Sequence, residues 1–310
     1  MFDKDRLGRV IIPMVTPFGE DQELDYERAA ELVDRIVSHE MATSILVSGT
    51  TGEFFLTSYE ERIRLFEVVA EAASSRIPLV AGIGCASTRE SVALGREATR
   101  LGYQTAMVVA PYFSKPTQSE LYEHYKQISD ALSLEILLYN IPIFTGINIA
   151  PETVRELSKL PNIVGIKEEA ELNPKQLTEY ALATGEGFII YCGDDTMISE
   201  AYAQCGPERL SGIVSGGSHI ASRAIQAMVR SLLDGDLTGA SRIQMTLHPL
   251  LRSLGQNGRT NPVALLKGAM KLQGFSVGLP RLPYLPGTTE EIAFIREKLA
   301  AIPERFEEPT

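Results

Sequence analysis

Eight short apolar runs, rich in β-branched residues, recur along the first 220 residues of this 310-residue chain and restrict its fold more than any other feature. Each run is continuously apolar, as is typical of strands that are covered on both faces of a sheet. The runs lie at 9–18, 43–49, 78–84, 105–112, 135–142, 162–169, 188–195 and 210–217. Helical patterns separate the runs, so the sequence predicts an α/β fold with parallel strands.

The stretches between the runs carry signals that start helices. Thr57–Glu60, Ser87–Glu90 and Thr117–Glu120 match the capping box, in which a hydroxyl and a carboxylate satisfy unpaired amides at a helix start. Asn173-Pro174 predicts an N-cap that is followed by proline at the first helical position. We therefore expect a helix after each of the corresponding strands.

Eight strands with intervening helices predict a (β/α)8 TIM barrel, which usually has about 250 residues. A doubly wound open sheet is the alternative, but GIGCAS at 82–87, the nearest match to a dinucleotide fingerprint, lacks the third glycine and follows the third strand. After residue 220 the pattern is helical, at 221–234, 237–254, 262–272 and 288–301. We therefore predict a barrel domain at 1–225, which carries the active site, and a C-terminal helical domain at 226–310.

Charge and composition narrow the classes of partner. The chain has 29 basic and 40 acidic residues, and its net charge of −11 disfavours binding to nucleic acid or to an anionic membrane. No apolar run approaches the ~20 residues that span a bilayer, and the polar start of the chain is unlike a signal peptide, so we expect a cytoplasmic protein. Three scattered cysteines and four histidines without ligand spacing predict no metal site.

A lysine, Lys167, ends the apolar run NIVGIK. Most such lysines extend the charged amine to water while the stem packs on apolar neighbours. In a barrel, however, the carboxyl ends of the strands carry the chemistry. The same rim would collect Thr50 and Thr51 from SGTTGE and Tyr139 from LYNIP. Glu168 and Glu169 flank the lysine and are expected to be solvated or to support it.

These side chains suit one kind of reaction. A lysine at an apolar barrel mouth is desolvated, which lowers the pKa of its amine and supplies a nucleophile. The alternative readings are turn-forming threonines and a core tyrosine. If these residues are functional instead, the hydroxyls and turn amides of Thr50 and Thr51 hold a small carboxylate, and the phenol of Tyr139 transfers protons. Together they favour Schiff-base chemistry on a small 2-oxo acid, which requires no metal or organic cofactor.

Several motifs resemble those of a known family. GTTGE (49–53), YNIP (139–142), GIKE (165–168), GDD (193–195), NP…K (261–267) and PRLP (280–283) are similar, in order and spacing, to the dihydrodipicolinate synthase / N-acetylneuraminate lyase family. The resemblance covers nearly the whole chain. It implies a pyruvate-dependent class I lyase with a TIM barrel, a C-terminal helical domain and a homotetramer built from dimers. GDD and GIVSGGSHIA are more similar to the synthase branch.

The resemblance also implies roles for individual residues. Lys167 would form the Schiff base with pyruvate, and Tyr139 would transfer protons with Thr51 continuing the relay. The positions that correspond to pyruvate-binding residues of the family are Thr50, Thr51, Gly193 and Val214. The bound partners would therefore be two small molecules, pyruvate and an aldehyde.

Two positions depart from the synthase pattern. Phe113 stands where that branch has a second tyrosine of the relay, and Phe144 stands where it has an arginine that binds the carboxylate of the aldehyde. Both phenylalanines belong to the expected aldehyde pocket. The resemblance favours condensation of pyruvate with aspartate semialdehyde, towards lysine. An aldolase for a sugar acid or another 2-oxo acid, and a catalytically impaired paralogue that binds a 2-oxo acid, remain as alternatives.

Overall fold

A computed structural model describes residues 6–170, 176–303 and 306 of the chain. Its strands follow one another around a closed barrel in chain order, and neighbouring strands run parallel. The strands are β1 (Val10–Pro13), β2 (Ser44–Val47), β3 (Leu79–Gly82), β4 (Thr105–Val109), β5 (Glu135–Asn140), β6 (Ile163–Glu168), β7 (Ile189–Cys192) and β8 (Leu210–Val214). Each lies within a predicted apolar run, so the prediction of a (β/α)8 barrel rather than an open sheet is confirmed.

Helices separate the strands and form the C-terminal region. The first eight described helices are α1 (Tyr26–Ser38), α2 (Tyr59–Ala73), α3 (Thr88–Arg100), α4 (Gln118–Ala131), α5 (Pro142–Thr145), α6 (Pro151–Leu157), α7 (Gln176–Ala183) and α8 (Ile198–Arg209). The C-terminal helices are α9 (Ser218–Leu233), α10 (Leu237–Ser253), α11 (Val263–Leu272) and α12 (Thr289–Ala300). The predicted C-terminal helical region is thus confirmed. The helix start expected at Asn173-Pro174 lies outside the described residues.

The described residues form two compact units, and each unit combines two separate stretches of the chain. The first lies within Met1–Arg9 and Pro78–Val214 and holds β3–β8 with α3–α8. The second lies within Val10–Ile77 and Ser215–Thr310 and holds β1, β2, α1, α2 and α9–α12. The domain boundary between residues 225 and 226 stays a prediction.

Strand register in the first unit determines which side chains meet at the carboxyl ends of the strands. Tyr139 on β5 pairs with Lys167 on β6, and Asn140 pairs with Glu168. Every residue of β6 is buried, as its continuous apolar pattern predicts. Because successive side chains of a strand point to opposite faces, Lys167 and Glu168 lie on opposite sides of the sheet.

The capping boxes differ in part from the prediction. At α4 the box is confirmed, since the Thr117 amide donates to the Glu120 carboxylate over 2.7 Å and the Thr117 hydroxyl accepts from the Glu120 amide. At α3, Ser87 is the N-cap but makes no side-chain cap hydrogen bond, so the box predicted there is wrong.

At α2 the capping box lies one residue later than predicted, at Ser58 and Glu61. The Thr57 hydroxyl donates instead to the Phe54 carbonyl oxygen over 2.8 Å. Glu61 accepts from the Ser58 amide over 2.7 Å and also pairs with the Arg281 guanidinium over 2.7 Å. The sequence TSYEE contains two overlapping S/T-x-x-E patterns, Thr57–Glu60 and Ser58–Glu61, and the structure uses the second.

A buried ion pair fixes the turn after β2 in the second unit. Lys267 on α11 has its Nζ 2.6 Å from Oε1 of Glu53, and the two side chains are 1% and 0% exposed. Lys267 also donates to the carbonyl oxygens of Thr16 (2.7 Å) and Leu279 (3.1 Å), so three acceptors surround the ammonium. Burial raises the pKa of Glu53 and lowers that of Lys267. Glu53 in turn donates its amide to the Thr50 carbonyl oxygen over 3.1 Å.

Two buried histidines are neutral in the folded state because burial lowers the pKa of each to about 4. His124 on α4 has Nδ1 2.8 Å from the Thr88 hydroxyl oxygen. His219 on α9 accepts from the Val15 amide through Nε2, and its Nδ1 lies 3.0 Å from the Gly216 carbonyl oxygen. These contacts assign the proton of the neutral His219 ring to Nδ1.

Lowering the pH is expected to destabilise the protein through these histidines. The folded-state pKa of about 4 lies below the unfolded value of about 6.5, so the stabilisation is complete above pH 6.5 or so and is lost as the pH falls towards 4. When the pH falls from about 7 to about 5.5, each of the two histidines should lower the unfolding free energy of the protein by about 1 kcal/mol.

Urea unfolding of His124→Asn at the two pH values tests this, because asparagine can keep the bond to Thr88 but does not titrate. The wild type should lose about 1 kcal/mol relative to the variant on acidification. Exposed His248→Asn is the matched control. An equal loss in wild type and His124→Asn would contradict the prediction.

Candidate active site

Lys167 holds its amine at the carboxyl end of β6, almost entirely removed from water. The residue is 5% exposed. Its Nζ lies 2.7 Å from Oε2 of Glu169 and 4.0 Å from the centroid of the Tyr139 ring. A carboxylate and an aromatic face thus contact the same amine.

Tyr139 contacts the same carboxylate from β5. The residue is 3% exposed, and its hydroxyl donates a hydrogen bond to Oε2 of Glu169 over 2.7 Å. The same carboxylate oxygen therefore accepts a hydrogen bond from the phenol and pairs with the lysine amine. Lys167, Tyr139 and Glu169 form a continuous chain of proton-carrying groups, which we call the rim triad.

Glu169 is the member of the rim triad to which the sequence analysis gave no specific role. It follows β6 directly, two residues after Lys167. Side chains two residues apart on a strand point to the same side, and this spacing is the signal that could have identified it. Its side chain is 25% exposed, so it is the member of the triad most accessible to solvent.

Gly193, which follows β7, leaves the space that the rim triad occupies. A Cβ at this position would lie 2.5 Å from Cε of Lys167 and 2.8 Å from Oε2 of Glu169. Both distances are shorter than real Cβ contacts, so any side chain here would displace the lysine or the carboxylate. The structure therefore brings predicted residues Lys167, Tyr139 and Gly193 together.

Glu168 anchors the chain behind the rim triad, on the other side of β6. Its Oε2 accepts from the side-chain amides of Asn140 (2.9 Å) and Gln176 (3.0 Å), and its Oε1 accepts from the Ala170 amide (2.7 Å). The Glu169 amide donates to the Asn140 carbonyl oxygen over 3.0 Å. Burial raises the pKa of Glu168. Bonds on both sides of Glu169 thus hold its backbone in place.

The other predicted residues of the first unit differ in their surroundings. Val214 ends β8 and is 1% exposed. Phe113 is 96% exposed and has a φ of 71°, an unusual conformation for a residue with a side chain. Phe144 lies in the short helix α5 and is 38% exposed. Phe113 is therefore a surface side chain, whereas Val214 belongs to the core.

Thr50 and Thr51 lie in the second unit, in the turn after β2. Both residues are half-buried. The Gly52 amide donates to the Gly49 carbonyl oxygen over 3.0 Å, and the Thr16 hydroxyl donates to the Gly52 carbonyl oxygen over 2.6 Å. With the buried ion pair at Glu53, these bonds make the turn a fixed element.

The described part of the chain holds neither a cluster of metal-binding side chains nor a helix that could span a membrane. Within residues 6–170, 176–303 and 306, no three or more His, Cys, Asp and Glu side chains are grouped so that they could bind a metal ion. No helix in the same part of the chain is both long and apolar enough to cross a bilayer.

Comparison with known proteins places this geometry in a family. A model of the dihydrodipicolinate synthetase family matches residues 6–302. A 4-hydroxy-tetrahydrodipicolinate synthase of Symbiobacterium thermophilum is 38% identical over 294 residues, which cover 94% of this chain and 97% of that protein.

Solved structures agree with the family model. A dihydrodipicolinate synthase of Bacillus anthracis is 33% identical, with a TM-score of 0.90 over 98% of this chain and 100% of that one. A chloride-inhibited dihydrodipicolinate synthase of Acinetobacter baumannii, complexed with pyruvate, is 31% identical, with a TM-score of 0.86 over 95% of this chain and 98% of that one. The predicted family and fold are confirmed: the chain belongs to the dihydrodipicolinate synthetase family and is a lyase of the aldolase type.

Proposed function

We propose that this protein condenses pyruvate with aspartate semialdehyde through a Schiff base on Lys167, and so acts as a 4-hydroxy-tetrahydrodipicolinate synthase on the route towards lysine. The observation that carries the proposal is that Lys167 is 5% exposed and that its amine lies 2.7 Å from a carboxylate that can accept its proton. The relatives that share most of the chain bear this name, and one similar structure contains pyruvate.

The first half of the reaction uses pyruvate alone. The Lys167 amine attacks the ketone carbon, water leaves, and the resulting iminium withdraws electrons from the neighbouring methyl group. Loss of a methyl proton then gives an enamine, which attacks the aldehyde carbon. Tyr139 is suited to move protons in these steps, because its hydroxyl lies in the rim triad beside the amine.

We assign the remaining roles on the family motifs. The hydroxyls of Thr50 and Thr51, with the amides of their turn, bind the pyruvate carboxylate, and Thr51 continues the proton relay from Tyr139. Main-chain groups of Gly193 and Val214 line the pyruvate pocket. Gly193 contributes a second property, since its lack of a side chain leaves room for Lys167. The chemistry requires no metal or organic cofactor, because the iminium itself accepts the electrons.

The identity of the aldehyde depends on Phe113 and Phe144. A phenylalanine cannot make the bidentate bond that an arginine makes with a carboxylate, so Phe144 offers no charge to the carboxylate of aspartate semialdehyde. This observation favours a second candidate function, an aldolase for a sugar acid or another 2-oxo acid. If aspartate semialdehyde is the substrate, another cation must bind its carboxylate.

A panel of aldehydes presented with pyruvate tests the proposed substrate. We expect aspartate semialdehyde to give the highest kcat/KM, at about 10⁴ M⁻¹s⁻¹ or more, compared with sugar aldehydes and N-acetylmannosamine. Pyruvate consumption would be measured for each aldehyde, with the lysine variant Lys167→Arg as the control for background reaction.

The outcomes of this panel separate the candidates. A higher kcat/KM with a sugar aldehyde or with N-acetylmannosamine would replace the proposed substrate with the second candidate. Stabilisation of the protein against heat by pyruvate, without turnover of any aldehyde, would instead indicate a catalytically impaired paralogue.

We further propose a homotetramer built from dimers and a cytoplasmic location. Both rest on the family to which the chain belongs. Light scattering of the purified protein would measure its mass in solution, and a mass close to one chain would contradict the tetramer.

A further inference from the structure

The carboxylate of Glu169 contacts both groups that carry out the proposed chemistry. Its Oε2 lies 2.7 Å from Nζ of Lys167 and accepts a hydrogen bond of 2.7 Å from the Tyr139 hydroxyl. Both distances fall within the range of charge-assisted hydrogen bonds. A proton can therefore pass between the amine and the carboxylate, or between the carboxylate and the phenol, along a single hydrogen bond.

Schiff-base formation requires a group in this position. An ammonium has no lone pair, so Lys167 must lose a proton before it attacks, and the hydroxyl of the carbinolamine must gain a proton before it leaves as water. A group within hydrogen-bond reach of the nitrogen can perform both transfers. The hydrocarbon ring of Phe113, 96% exposed on this protomer, offers neither a donor nor an acceptor for them.

We propose that Glu169 is a further catalytic residue, which takes the proton from the Lys167 ammonium and returns it to the leaving hydroxyl. The proposal rests on the Schiff-base function proposed above. Lys167 first transfers one proton to Glu169, and the free amine forms its bond to the ketone carbon of pyruvate as the carbonyl π bond breaks. One proton passes from nitrogen to the new alkoxide through Tyr139, which gives the neutral carbinolamine.

The second transfer completes the balance of atoms and charge. Protonated Glu169 donates to the carbinolamine hydroxyl, the carbon–oxygen bond breaks, and water leaves. The nitrogen lone pair forms the carbon–nitrogen double bond, which leaves an iminium that carries one proton. Glu169 is again a carboxylate, now paired with the positive charge of the iminium. In the net reaction, the carbon–nitrogen double bond replaces the ketone carbonyl, and the ketone oxygen leaves as one molecule of water.

The surroundings of Glu169 keep its carboxylate in reach of the amine. Its backbone amide is bonded to the Asn140 carbonyl oxygen, and the next residue, Ala170, is bonded to Glu168. Gly193 leaves the space that the carboxylate fills, since a Cβ there would lie 2.8 Å from Oε2 and 2.9 Å from Cβ of Glu169. Because the carboxylate is already held beside the amine, no entropy is lost in positioning it during the reaction, and proton transfer is efficient.

The substitution Glu169→Gln separates proton transfer from positioning. The glutamine oxygen can still accept from the Tyr139 hydroxyl, but an amide cannot carry the proton. We expect the rate of Schiff-base formation with pyruvate, measured as borohydride-trapped adduct against time, to fall by about 10²-fold or more. Exposed Glu179→Gln removes the same charge from α7 and is the matched control, with an unchanged rate.

Chemical rescue gives a second readout that a structural role would not change. In Glu169→Ala, added formate is expected to recover the trapping rate at least ~10-fold, because a free carboxylate can occupy the vacated space. Glu169→Asp, which keeps the acid on a shorter side chain, should lie between the wild type and Glu169→Gln. Circular dichroism of each variant would verify that the fold is retained.

The results distinguish this inference from the proposed function. If the wild type and Glu179→Gln are trapped by pyruvate but Glu169→Gln is trapped equally fast, Glu169 is not the proton carrier and the inference alone fails. The same holds if Glu169→Ala is slow but formate does not restore it. If the wild type forms no adduct with pyruvate, the Schiff-base function itself fails.

Discussion

Replacing Lys167 with methionine is expected to lower the turnover of pyruvate with its aldehyde by ~10⁴-fold or more. Methionine matches the stem of lysine in length but has no amine, so no bond to the ketone carbon can form. Lys167 lies at a strand end and is 5% exposed, and methionine is compatible with such a buried position. Steady-state kinetics with saturating pyruvate would measure the loss.

Lys167→Arg is the matched variant because it keeps a positive charge next to Glu169. A guanidinium retains its proton under all conditions in proteins, so it can pair with the carboxylate but cannot attack a ketone. We expect the arginine variant to be as inactive as the methionine variant and to unfold at nearly the wild-type temperature. Activity of Lys167→Arg above a few per cent of wild type would contradict the assignment of Lys167 as the nucleophile.

Replacing Lys267 with methionine is expected to reduce the free energy of unfolding by about 3–5 kcal/mol. The substitution removes an ammonium that is 1% exposed and leaves Glu53, 0% exposed, without its cationic partner. It also removes the bonds from Nζ to the carbonyl oxygens of Thr16 and Leu279. Urea unfolding followed by circular dichroism would measure the loss.

A double-variant cycle with Glu53→Gln separates the ion pair from the loss of packing. The amide of glutamine is neutral and can still accept the Arg281 backbone amide, which bonds to Oε2 of Glu53 over 2.9 Å. We therefore expect Glu53→Gln/Lys267→Met to be more stable than the sum of the single variants predicts, by roughly 0.5–3 kcal/mol. Strict additivity of the two single losses would show that the pair is not coupled.

The effect of pH on Lys267→Met has a definite sign. Burial already raises the pKa of Glu53 in the folded protein, and loss of the ammonium removes the largest influence that lowers it. A group whose folded pKa exceeds its unfolded pKa takes up a proton on folding, so the variant should gain stability as the pH falls towards the unfolded value of about 4.3. The wild type keeps the cation and should gain less.

The alternation of strands and helices could be predicted because it depends on local pattern. Strands covered on both faces are continuously apolar, and all eight apolar runs contain a strand. The C-terminal helices α10 and α12 likewise begin and end within one residue of the predicted ranges. The capping box of α2 could not be placed correctly, because two overlapping patterns in the sequence, Thr57–Glu60 and Ser58–Glu61, both match it.

The part of the site that lies at the ends of neighbouring strands could be predicted from the sequence. Lys167 and Tyr139 meet because β5 and β6 are neighbours in register, and the fold alone implies this contact. Glu169 was missed as a specific partner, although its position two residues after Lys167 places it on the same side of the strand. Its two contacts depend on the rotamers of three side chains and on the missing side chain at Gly193, which the sequence pattern does not specify.

The buried pair of Glu53 and Lys267 shows a second kind of limit. Both residues belong to motifs that carry the family resemblance, yet 214 positions separate them in the chain. Charged residues are rarely buried, so composition and pattern alone favour exposure for both. Only the tertiary structure shows that the pair anchors the turn that carries Thr50 and Thr51.

Reduction with borohydride in the presence of pyruvate converts a Schiff base into a stable secondary amine on the lysine that formed it. The protein would be incubated with pyruvate, reduced, digested and examined by mass spectrometry. We expect one modified peptide, with the reduced pyruvate adduct on Lys167, and no adduct in Lys167→Arg. No adduct in the wild type, or an adduct on a different lysine, would contradict this expectation.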